Sequence, residues 1–474
     1  MKRLVLSFLI YHFAFSPAGA QTPWTLEQCC DYAVAHNIGI RQKENQRQQQ
    51  ELQVSNARNR RLPDLNGSVG ENFSFGRGLT AENTYSNTNT SSTSLSLSTS
   101  VPLFTGFEIP NQIRLSRLNL EAATQDLEKT KNDIRIQVAQ SYVQVLYDME
   151  LLDVARRQVD IDSAQVARLQ SMLNVGKTSE AELSRQRATL AQSRLTATQA
   201  DNNLRLELLA LAQLLELDSP EGFSIARPQE YLGKRENPDN PEHLDNLENL
   251  DNLEHLDNLD NLENLAPPAQ SAPLSPDLIF VDALATKPEI RTEQIRLQAT
   301  ERAIDIARAG YYPTLSFSAG LGTNYYTTSG HTSDPLGRQL KNNFSQYLGL
   351  SLNIPIFNRL QTRNSVRSAR LDRLNQQLSL DNAKKTLYKE IQQAWYNAVA
   401  SGEKLRSSRQ ARQASQDAFR LTQAKYENGK ATITEFNEAK NNLMKTESDL
   451  TQARYENLYQ RALLKFYRGE PLRF

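Results

Sequence analysis

The sequence has little cysteine and no long hydrophobic run. Its two cysteines, the adjacent Cys29 and Cys30, are too few for a disulfide framework and lack the spaced partners of a zinc site. We expect both to be small buried residues. The longest strongly apolar run, Leu4 to Phe15, is shorter than the roughly 18 to 20 residues that a membrane-spanning helix needs. These absences exclude a disulfide-rich domain and a helical membrane transporter.

Histidine and an excess of one charge are also lacking. The 54 basic and 54 acidic side chains balance, which argues against a protein that depends on nucleic-acid phosphates. After the first 20 residues only His36, His243, His255 and His331 remain, and none stands beside a nucleophile or at metal-ligand spacing. We therefore expect no enzyme activity, no metal and no cofactor.

The first 20 residues have the composition of a secretory signal peptide. Lys2 and Arg3 precede an apolar core, and the small residues Ala18-Gly19-Ala20 follow it, as at a signal-peptidase site. We expect cleavage after Ala20. Because no cysteine would become the first mature residue, we also expect no lipid anchor there.

Two copies of one unit make up the rest of the chain. Leu62-Pro63 recurs as Tyr312-Pro313, at an offset of 250 residues. Val101-Pro102-Leu103-Phe104 recurs as Ile354-Pro355-Ile356-Phe357, and from there onward the offset is 253. Repetition at a fixed offset indicates that one supersecondary unit is built twice.

Each copy contains two segments with strand periodicity. From Ser94 to Val101 serine alternates with apolar residues and threonine, which is the two-residue period of a strand. Similar segments start near Leu65, Leu315 and Leu348, and we expect a loop of about 18 residues within the first hairpin. One face is apolar, but the other has small uncharged residues where soluble sheets present Lys and Glu. This pattern is typical of a transmembrane barrel; the alternative is a soluble sheet of two hairpins.

Long helices separate the hairpins. Helical periodicity runs from Glu108 to about Asn174 and from Leu360 to about Glu427, and each stretch reaches roughly 100 Å at about 1.5 Å per residue. Apolar residues recur at steps of three and four, as in a coiled coil. Glycines then break the pattern, and return helices are predicted over about 179–217 and 432–467.

The two copies are joined by a segment of abruptly different composition. Within it, 244–265 repeats Leu-Asp-Asn and Leu-Glu-Asn triplets between prolines. A three-residue leucine period forms no stripe on a helix, and Asn and Asp are weak helix formers. We expect a disordered or marginally helical insertion, and the alternatives are cation binding or an adaptor contact.

The fold class predicted from these patterns is mainly α with a transmembrane β part, in two tandem repeats that each combine long coiled-coil helices with β-hairpins. The expected segments are a signal peptide (1–20), a stem helix (21–62), a β-hairpin (63–105), a helical hairpin (106–217), the linker (218–282), a second stem helix (283–312), a second β-hairpin (313–358), and a second helical hairpin with the C-terminal end (359–474).

At this point the sequence resembles the bacterial outer-membrane efflux proteins of the TolC type. The resemblance covers essentially the whole mature chain, and the order and duplication of its motifs are more specific than any single motif. The motifs are Trp24-Thr25-Leu26-Glu27 with Asn37, the Leu62-Pro63 and Tyr312-Pro313 pairs, the two four-residue segments that enter the long helices, and Gly176 with Gly429.

The resemblance implies a trimer in the outer membrane. Three chains would contribute four strands each to one 12-stranded barrel, and the helices would form an α-barrel tunnel across the periplasm. Gly176 and Gly429 would lie at the periplasmic tip, where the tunnel closes and meets a periplasmic adaptor protein and an inner-membrane pump. The segment after Leu217 and the C-terminal end would surround the tunnel.

The resemblance also implies a set of site residues near the tip. Glu435 and Glu438 would form an acidic ring in the lumen, with some carboxylates titrating above the ordinary glutamate pKa because like charges crowd there. Tyr426 and Glu182 match positions that hold the coils shut. Ala431 stands where well-known members have a basic residue, and neighbouring Lys430 is a possible substitute. The alternative is that both glutamates form an ordinary solvated helix face.

The leading functional hypothesis is a passive exit duct of a tripartite efflux or type I secretion system, and the alternative is a secreted periplasmic coiled-coil adaptor or scaffold. Drug, metal-ion and protein export all remain open as transport classes, because a water-filled tunnel makes few specific contacts.

Overall fold

The computed structural model describes residues 23–79, 83–227 and 274–473. The signal-peptide cleavage site and the acidic repeat at 244–265 lie outside these residues. The elements are α1 (Leu26–His36), α2 (Ile38–Asn59), β1 (Asn66–Leu79), β2 (Tyr85–Thr105), α3 (Glu108–Asn174), α4 (Glu180–Leu214), α5 (Pro276–Thr286), α6 (Pro288–Ala309), β3 (Thr314–Thr328), α7 (Leu336–Asn342), β4 (Ser345–Asn353), α8 (Gln361–Glu427) and α9 (Ile433–Tyr467).

These residues divide into two compact units, and each unit contains parts of both sequence copies. We call them the strand unit (42–79, 83–129 and 288–386) and the turn unit (23–41, 130–227, 274–287 and 387–473). Corresponding pieces of the duplicated sequence therefore fold together rather than as two separate domains.

The strand unit contains one antiparallel sheet in the order β1-β2-β3-β4. β1 and β2 pair with Val69 opposite Leu95, β2 and β3 pair with Leu97 opposite Leu321, and β3 and β4 pair with Leu350 opposite Phe317. Successive side chains point to opposite faces, so this register places the apolar residues of all four strands on one face. We call it the apolar face, and the alternation predicted from the sequence is confirmed.

The apolar face is solvent-exposed in the single chain. Val69 is 75% exposed, Leu350 70% and Leu348 79%, values that a folded water-soluble sheet avoids by covering such a face. The opposite face carries small polar groups, among them Ser68 and Ser96, whose hydroxyls lie 2.7 Å apart across the β1–β2 pair.

The first hairpin is longer than its sequence pattern predicted. We expected a loop of about 18 residues, but β1 continues to Leu79 and β2 already begins at Tyr85. Ser91 and Thr93, which were expected in the loop, instead lie in β2 and both donate to the Glu71 carboxylate across the pair. The one acidic residue on the apolar face is thereby satisfied, and the ladder extends through a polar stretch that lacks an apolar–polar alternation.

In the second hairpin a short helix replaces the outer part of the fourth strand. β4 has nine residues, whereas β3 has fifteen. The Gln339 side chain of α7 accepts from the Tyr326 amide at 3.0 Å and donates to the Tyr326 carbonyl at 2.9 Å. The amide side chain thus satisfies backbone groups at an edge of β3 that β4 does not reach, an edge that would otherwise invite pairing with another chain.

The two long helices and their return helices are confirmed. α3 and α8 have 67 residues each, and α4 and α9 have 35 each. In the strand unit, α2 packs against the start of α3 through the buried residues Ala57, Ile109 and Ile113. No helix within the described ranges combines the length and the apolar content that crossing a membrane requires.

The predicted first stem helix is interrupted. The stem helix expected within 21–62 was to be continuous, but α1 ends at His36 and α2 begins at Ile38. Between them, the Asn37 side chain accepts from the amides of Gly39 and Ile40 at 2.9 and 3.3 Å. Asparagine therefore starts a second helix with its own side chain. In the second copy α5 ends at Thr286 and α6 begins at Pro288, a residue suited to the first position of a helix.

The main core lies in the turn unit. Tyr142 is almost fully buried, and its hydroxyl donates to the Ala226 carbonyl at 2.5 Å and lies 3.1 Å from the Trp24 carbonyl. Trp24 also pairs with Ile225 in a parallel bridge, so the residues after Leu217 pack on α1. Cys29 and Cys30 are buried and unbridged, as predicted, and burial raises the pKa of each thiol to about 12.

Candidate functional site at the two helical turns

The α3–α4 and α8–α9 turns have the same backbone geometry. Gly176 and Gly429 have φ angles of +72° and +71°, in the left-handed region that glycine enters without a steric penalty. At the first turn the Gly176 amide donates to the Leu173 carbonyl and the Lys177 amide to the Met172 carbonyl, both at 2.9 Å. At the second turn the corresponding donors are Gly429 and Lys430, at 3.0 and 2.8 Å. Both helices thus end in a Schellman motif.

The return helices begin with matching caps. Ser179 accepts from the Glu182 amide at 3.2 Å, and Thr432 accepts from the Glu435 amide at 3.2 Å. Only the second turn completes a capping box, because the Glu435 carboxylate accepts from the Thr432 amide at 2.7 Å. Glu182 accepts a hydrogen bond from the Thr178 hydroxyl instead. Thr178 corresponds to Ala431, which has no hydroxyl to offer.

Glu435 and Glu438 are both exposed on α9, on the side away from buried Ile433 and Phe436. Hydrogen bonds from the Thr432 amide and hydroxyl lower the pKa of Glu435. The rise expected from the sequence concerns carboxylates crowded around the axis of an assembly, and it stays a prediction, because the lowered pKa describes the single chain with its capping box. In the single chain Glu435 is therefore a cap as well as a candidate lumen residue.

Tyr426 joins the second turn to α3. Its hydroxyl accepts from the Gln165 amide at 2.6 Å, and the Arg168 guanidinium lies 5.3 Å from its ring centre. The ring also packs against Phe436 with centroids 5.1 Å apart. Burial raises the pKa of Tyr426, and the Glu182 carboxylate adds to that rise. Tyr426 thus lies in a contact between coils, at a position the sequence singled out.

A buried ionic cluster, which was not predicted from the sequence, joins α3, α4 and α9. Asp162 of α3 and Lys440 of α9 form an ion pair whose side chains are 0% and 2% exposed. The Asp162 carboxylate also accepts from Gln158 at 3.0 Å, from Gln186 at 3.1 Å and from Ser193 at 2.5 Å. α3, α4 and α9 are therefore tied together by one fully hydrogen-bonded carboxylate.

A signal for this cluster exists in the sequence. Lys440 follows Ile433 and Phe436 at steps of seven and four, which is the spacing of the apolar stripe of α9. A lysine on that stripe demands a buried partner. The partner could not be identified from the sequence, because α3 carries several acidic residues and only the packing of the three helices selects Asp162.

Within the described residues, no group of three or more His, Cys, Asp and Glu side chains is arranged to hold a metal ion. His36 stacks on Tyr32, with ring centroids 4.0 Å apart, and its Nδ1 lies 2.9 Å from the Tyr32 carbonyl. His331 is exposed in the loop before α7. His243 and His255 lie outside the described residues.

Comparison with protein families gives one match that spans most of the chain. A family model described as "Outer membrane efflux protein" matches residues 30–216 and 279–470. The two matched ranges correspond to the two sequence copies.

Individual relatives are distant. A probable efflux pump outer membrane protein, TtgC of Pseudomonas putida, is 24% identical over 178 residues, which are 37% of this chain and 35% of TtgC. The outer membrane protein TolC of Escherichia coli is 25% identical over 162 residues, 34% of this chain and 33% of TolC. The chain thus spans about a third of the length of the curated relatives it matches.

Among solved structures, the outer membrane protein VceC of Vibrio cholerae superposes with a TM-score of 0.70 at 15% identity, covering 94% of this chain and 97% of VceC. At this identity the likeness concerns the fold, and it includes both the sheet and the long helices.

Proposed function

Because the chain belongs to the outer membrane efflux protein family, we propose that it is the outer-membrane exit duct of a tripartite efflux or type I secretion system. In this proposal the duct is passive, and a periplasmic adaptor and an inner-membrane pump supply the substrate and open the tip. The proposed residence is the outer membrane, with the helices in the periplasm.

The apolar face carries this proposal. Many of its leucine, valine and phenylalanine side chains are exposed in the single chain, whereas the opposite face of the sheet is polar. A sheet that presents leucine, valine and phenylalanine on one side and serine on the other suits lipid outside and water inside. The sheet also ends in two free edges, β1 and β4. In lipid those backbone groups need partners.

A homotrimer supplies those partners. β4 of one copy pairs with β1 of the next, and three copies close a barrel of twelve strands without an edge. The internal duplication favours this arrangement. Within one chain, the last strand of the first sequence repeat, β2, already pairs with the first strand of the second repeat, β3.

The acidic ring remains a proposal about the closed tip. Three copies bring six carboxylates of Glu435 and Glu438 around the axis, and rings of acidic side chains favour cations in channels. Tyr426 and Glu182 hold the turns in place, and Gly176, Gly429 and Lys430 shape the turns themselves. Ala431 supplies no charged contact, so the hydrogen bonds of Tyr426 carry more of the closure.

Single-channel recording in planar bilayers tests the function. We expect discrete conductance steps from the full-length protein and a preference for cations. Glu435→Gln/Glu438→Gln reduces that preference while keeping a capping acceptor at position 435, and the control Glu403→Gln/Asp417→Asn removes two exposed carboxylates of α8. Absence of any conductance from correctly assembled protein would refute the duct. Unchanged selectivity in the first variant would refute only the ring.

The alternative, a secreted coiled-coil adaptor or scaffold, is not favoured. An adaptor has no need of an exposed apolar sheet face, and the duplicated hairpins have no role in it.

A further inference from the structure

A groove lined by arginines lies in the strand unit, beside the ends of the strands. One part, of about 390 Å³, is bordered by Arg58 of α2, by Arg61 in the turn that follows α2, and by Pro110, Ile113, Arg114 and Arg117 of α3. A second part, of about 500 Å³, continues along Arg114 and Arg117 to Gln298, Glu301 and Arg302 of α6. We call the whole feature the arginine groove.

Four guanidinium groups of the groove have no acidic partner within the described residues. Arg58, Arg61, Arg114 and Arg117 are all exposed, and Arg114 makes one hydrogen bond, to Asn111 at 3.3 Å.

The acidic side chains nearby are already engaged with other arginines. Glu108 pairs with Arg60 at 2.9 Å, and Glu301 pairs with Arg373 at 3.2 Å. Four unpaired cations at one groove repel one another, so the arrangement favours an anionic ligand.

Three of the four arginine positions recur in the second sequence copy, although Arg308 there pairs with Asp305 at 3.3 Å. At the offset of 250, Arg58 corresponds to Arg308, and at the offset of 253, Arg114 and Arg117 correspond to Arg367 and Arg370. Arg367 and Arg370 are likewise exposed on α8. The two copies have diverged at most positions, so the repeated basic residues indicate a shared requirement in both halves of the chain.

The groove lies just beyond the apolar face. Leu103 is exposed on that face two residues before the end of β2. Arg114 is the seventh residue of α3, hence about 10 Å along the helix. Arg61 stands five residues before β1. Headgroup regions extend about 5 to 8 Å beyond the hydrocarbon on each side, and long arginine side chains reach toward such an interface.

We propose that the arginine groove binds phosphate groups, and that phospholipid headgroups of the periplasmic leaflet supply them. Guanidinium groups match phosphate oxygens in a two-pronged geometry, and the apolar floor of Pro110 and Ile113 suits the adjoining glycerol and chain. This inference rests on the proposed residence in the outer membrane. It assigns to the groove the role of fixing the depth of the barrel in lipid.

Native mass spectrometry of the detergent-solubilised full chain tests the proposal, with dimyristoyl phosphatidylglycerol as the probe. Arg114→Gln/Arg117→Gln/Arg367→Gln/Arg370→Gln should bind the lipid about 25-fold more weakly, since the arginine groove loses two cations worth about fivefold each near an anionic surface, and their counterparts in the second sequence copy cannot replace them. Arg114→Lys/Arg117→Lys/Arg367→Lys/Arg370→Lys should recover most of the affinity. The control Arg406→Gln/Arg409→Gln, an exposed pair further along α8, should bind as wild type does.

Two further arms identify the source of the phosphate. Phosphatidylcholine of the same chain length should bind more weakly than phosphatidylglycerol, and inorganic phosphate at millimolar concentration should not displace the lipid. Displacement by inorganic phosphate would overturn the lipid assignment in favour of a soluble phosphate. Equal lipid affinity in wild type and the glutamine variant would overturn the site.

The same mass spectra show whether each variant assembles. If the glutamine variant fails to assemble, the lipid affinity of the lysine variant is compared with that of the wild type instead. Conductance recorded in parallel separates the two proposals. Normal channels with no arginine-dependent lipid binding would refute the groove alone. Altered ion selectivity with unchanged lipid binding would place the arginines in the lumen and also refute it.

Discussion

The buried Asp162–Lys440 pair gives the sharpest prediction about the turn unit. Replacing Lys440 by methionine keeps the apolar stem but removes the cation, so the Asp162 carboxylate stays buried with three neutral donors. Breaking a buried pair by removing one partner costs about 3 to 5 kcal/mol. Because those three donors remain, we take the lower end, about 3 kcal/mol.

Hydrogen exchange measures this loss locally. A loss of about 3 kcal/mol raises the population of opened helices on the order of 10²-fold. We therefore expect amides of α3 near Asp162 and of α9 near Lys440 to exchange on the order of 10²-fold faster in Lys440→Met. Asp162→Asn/Lys440→Met removes both charges and should recover most of the protection, because two neutral groups of similar shape replace the pair.

The surface pair Lys404–Glu456 provides the matched control. Its atoms are 2.8 Å apart, but its side chains are 42% and 41% exposed, and exposed pairs contribute roughly 0 to 1 kcal/mol. Lys404→Met should thus change exchange less than about fivefold. Equal increases in exchange rate in Lys440→Met and Lys404→Met would contradict this prediction, because burial would then add nothing to the stability that the Asp162–Lys440 pair provides.

Three further predictions concern other parts of the chain. Leu97→Arg should destabilise the assembled barrel by about 2 to 4 kcal/mol if Leu97 faces lipid, and Ser98→Arg considerably less; equal losses of trimer on gel filtration would contradict the assigned faces. At pH values above 4.5, the ordinary glutamate pKa, the capping box of Glu435 contributes its full stability to α9, and this stability is lost as the pH falls through the lowered pKa of Glu435. Glu435→Ala should therefore abolish the pH dependence of amide protection at 433–436. If the pH dependence persists in Glu435→Ala, another group causes it. Deletion of 242–265 should leave trimer assembly intact, because surface insertions change loop-closure entropy little; loss of the trimer would show that its leucines are packed.

The sequence predicted the features that repeat along the chain. The long helices follow from a three-to-four residue apolar period, and their ends follow from Gly176 and Gly429, where only glycine enters the left-handed region without a steric penalty. The apolar face followed in the same way from a two-residue period.

Features that depend on a single side chain or on tertiary packing could not be predicted. The period of two disappears between Gly76 and Thr93 because polar residues occupy both faces, so the true length of the first hairpin was hidden. The apolar periodicity continues without a break across Asn37, so it predicted one helix where the structure has two. The Asp162–Lys440 pair required knowledge of which helices lie side by side.

The central claim, a barrel closed by three chains, leads to a definite strand register between copies. Within one chain Thr99 of β2 lies opposite Ala319 of β3. Adding the repeat offset of 253 to Thr99 gives Leu352 of β4, and subtracting the offset of 250 from Ala319 gives Val69 of β1. We therefore expect Leu352 of one chain to lie opposite Val69 of the neighbouring chain in the trimer. Cysteines at such a cross-strand position are close enough for a disulfide.

Oxidation of Val69→Cys/Leu352→Cys in membranes, followed by denaturing electrophoresis, is the most direct test. We predict a ladder that stops at three chains. The wild type, whose two cysteines are buried, should remain monomeric on the gel, and so should Val69→Cys/Leu348→Cys, because four residues along a strand separate the cysteines by about 13 Å. A ladder that continues past three, or cross-linking that is equal in the Leu348 control, would contradict the closed barrel.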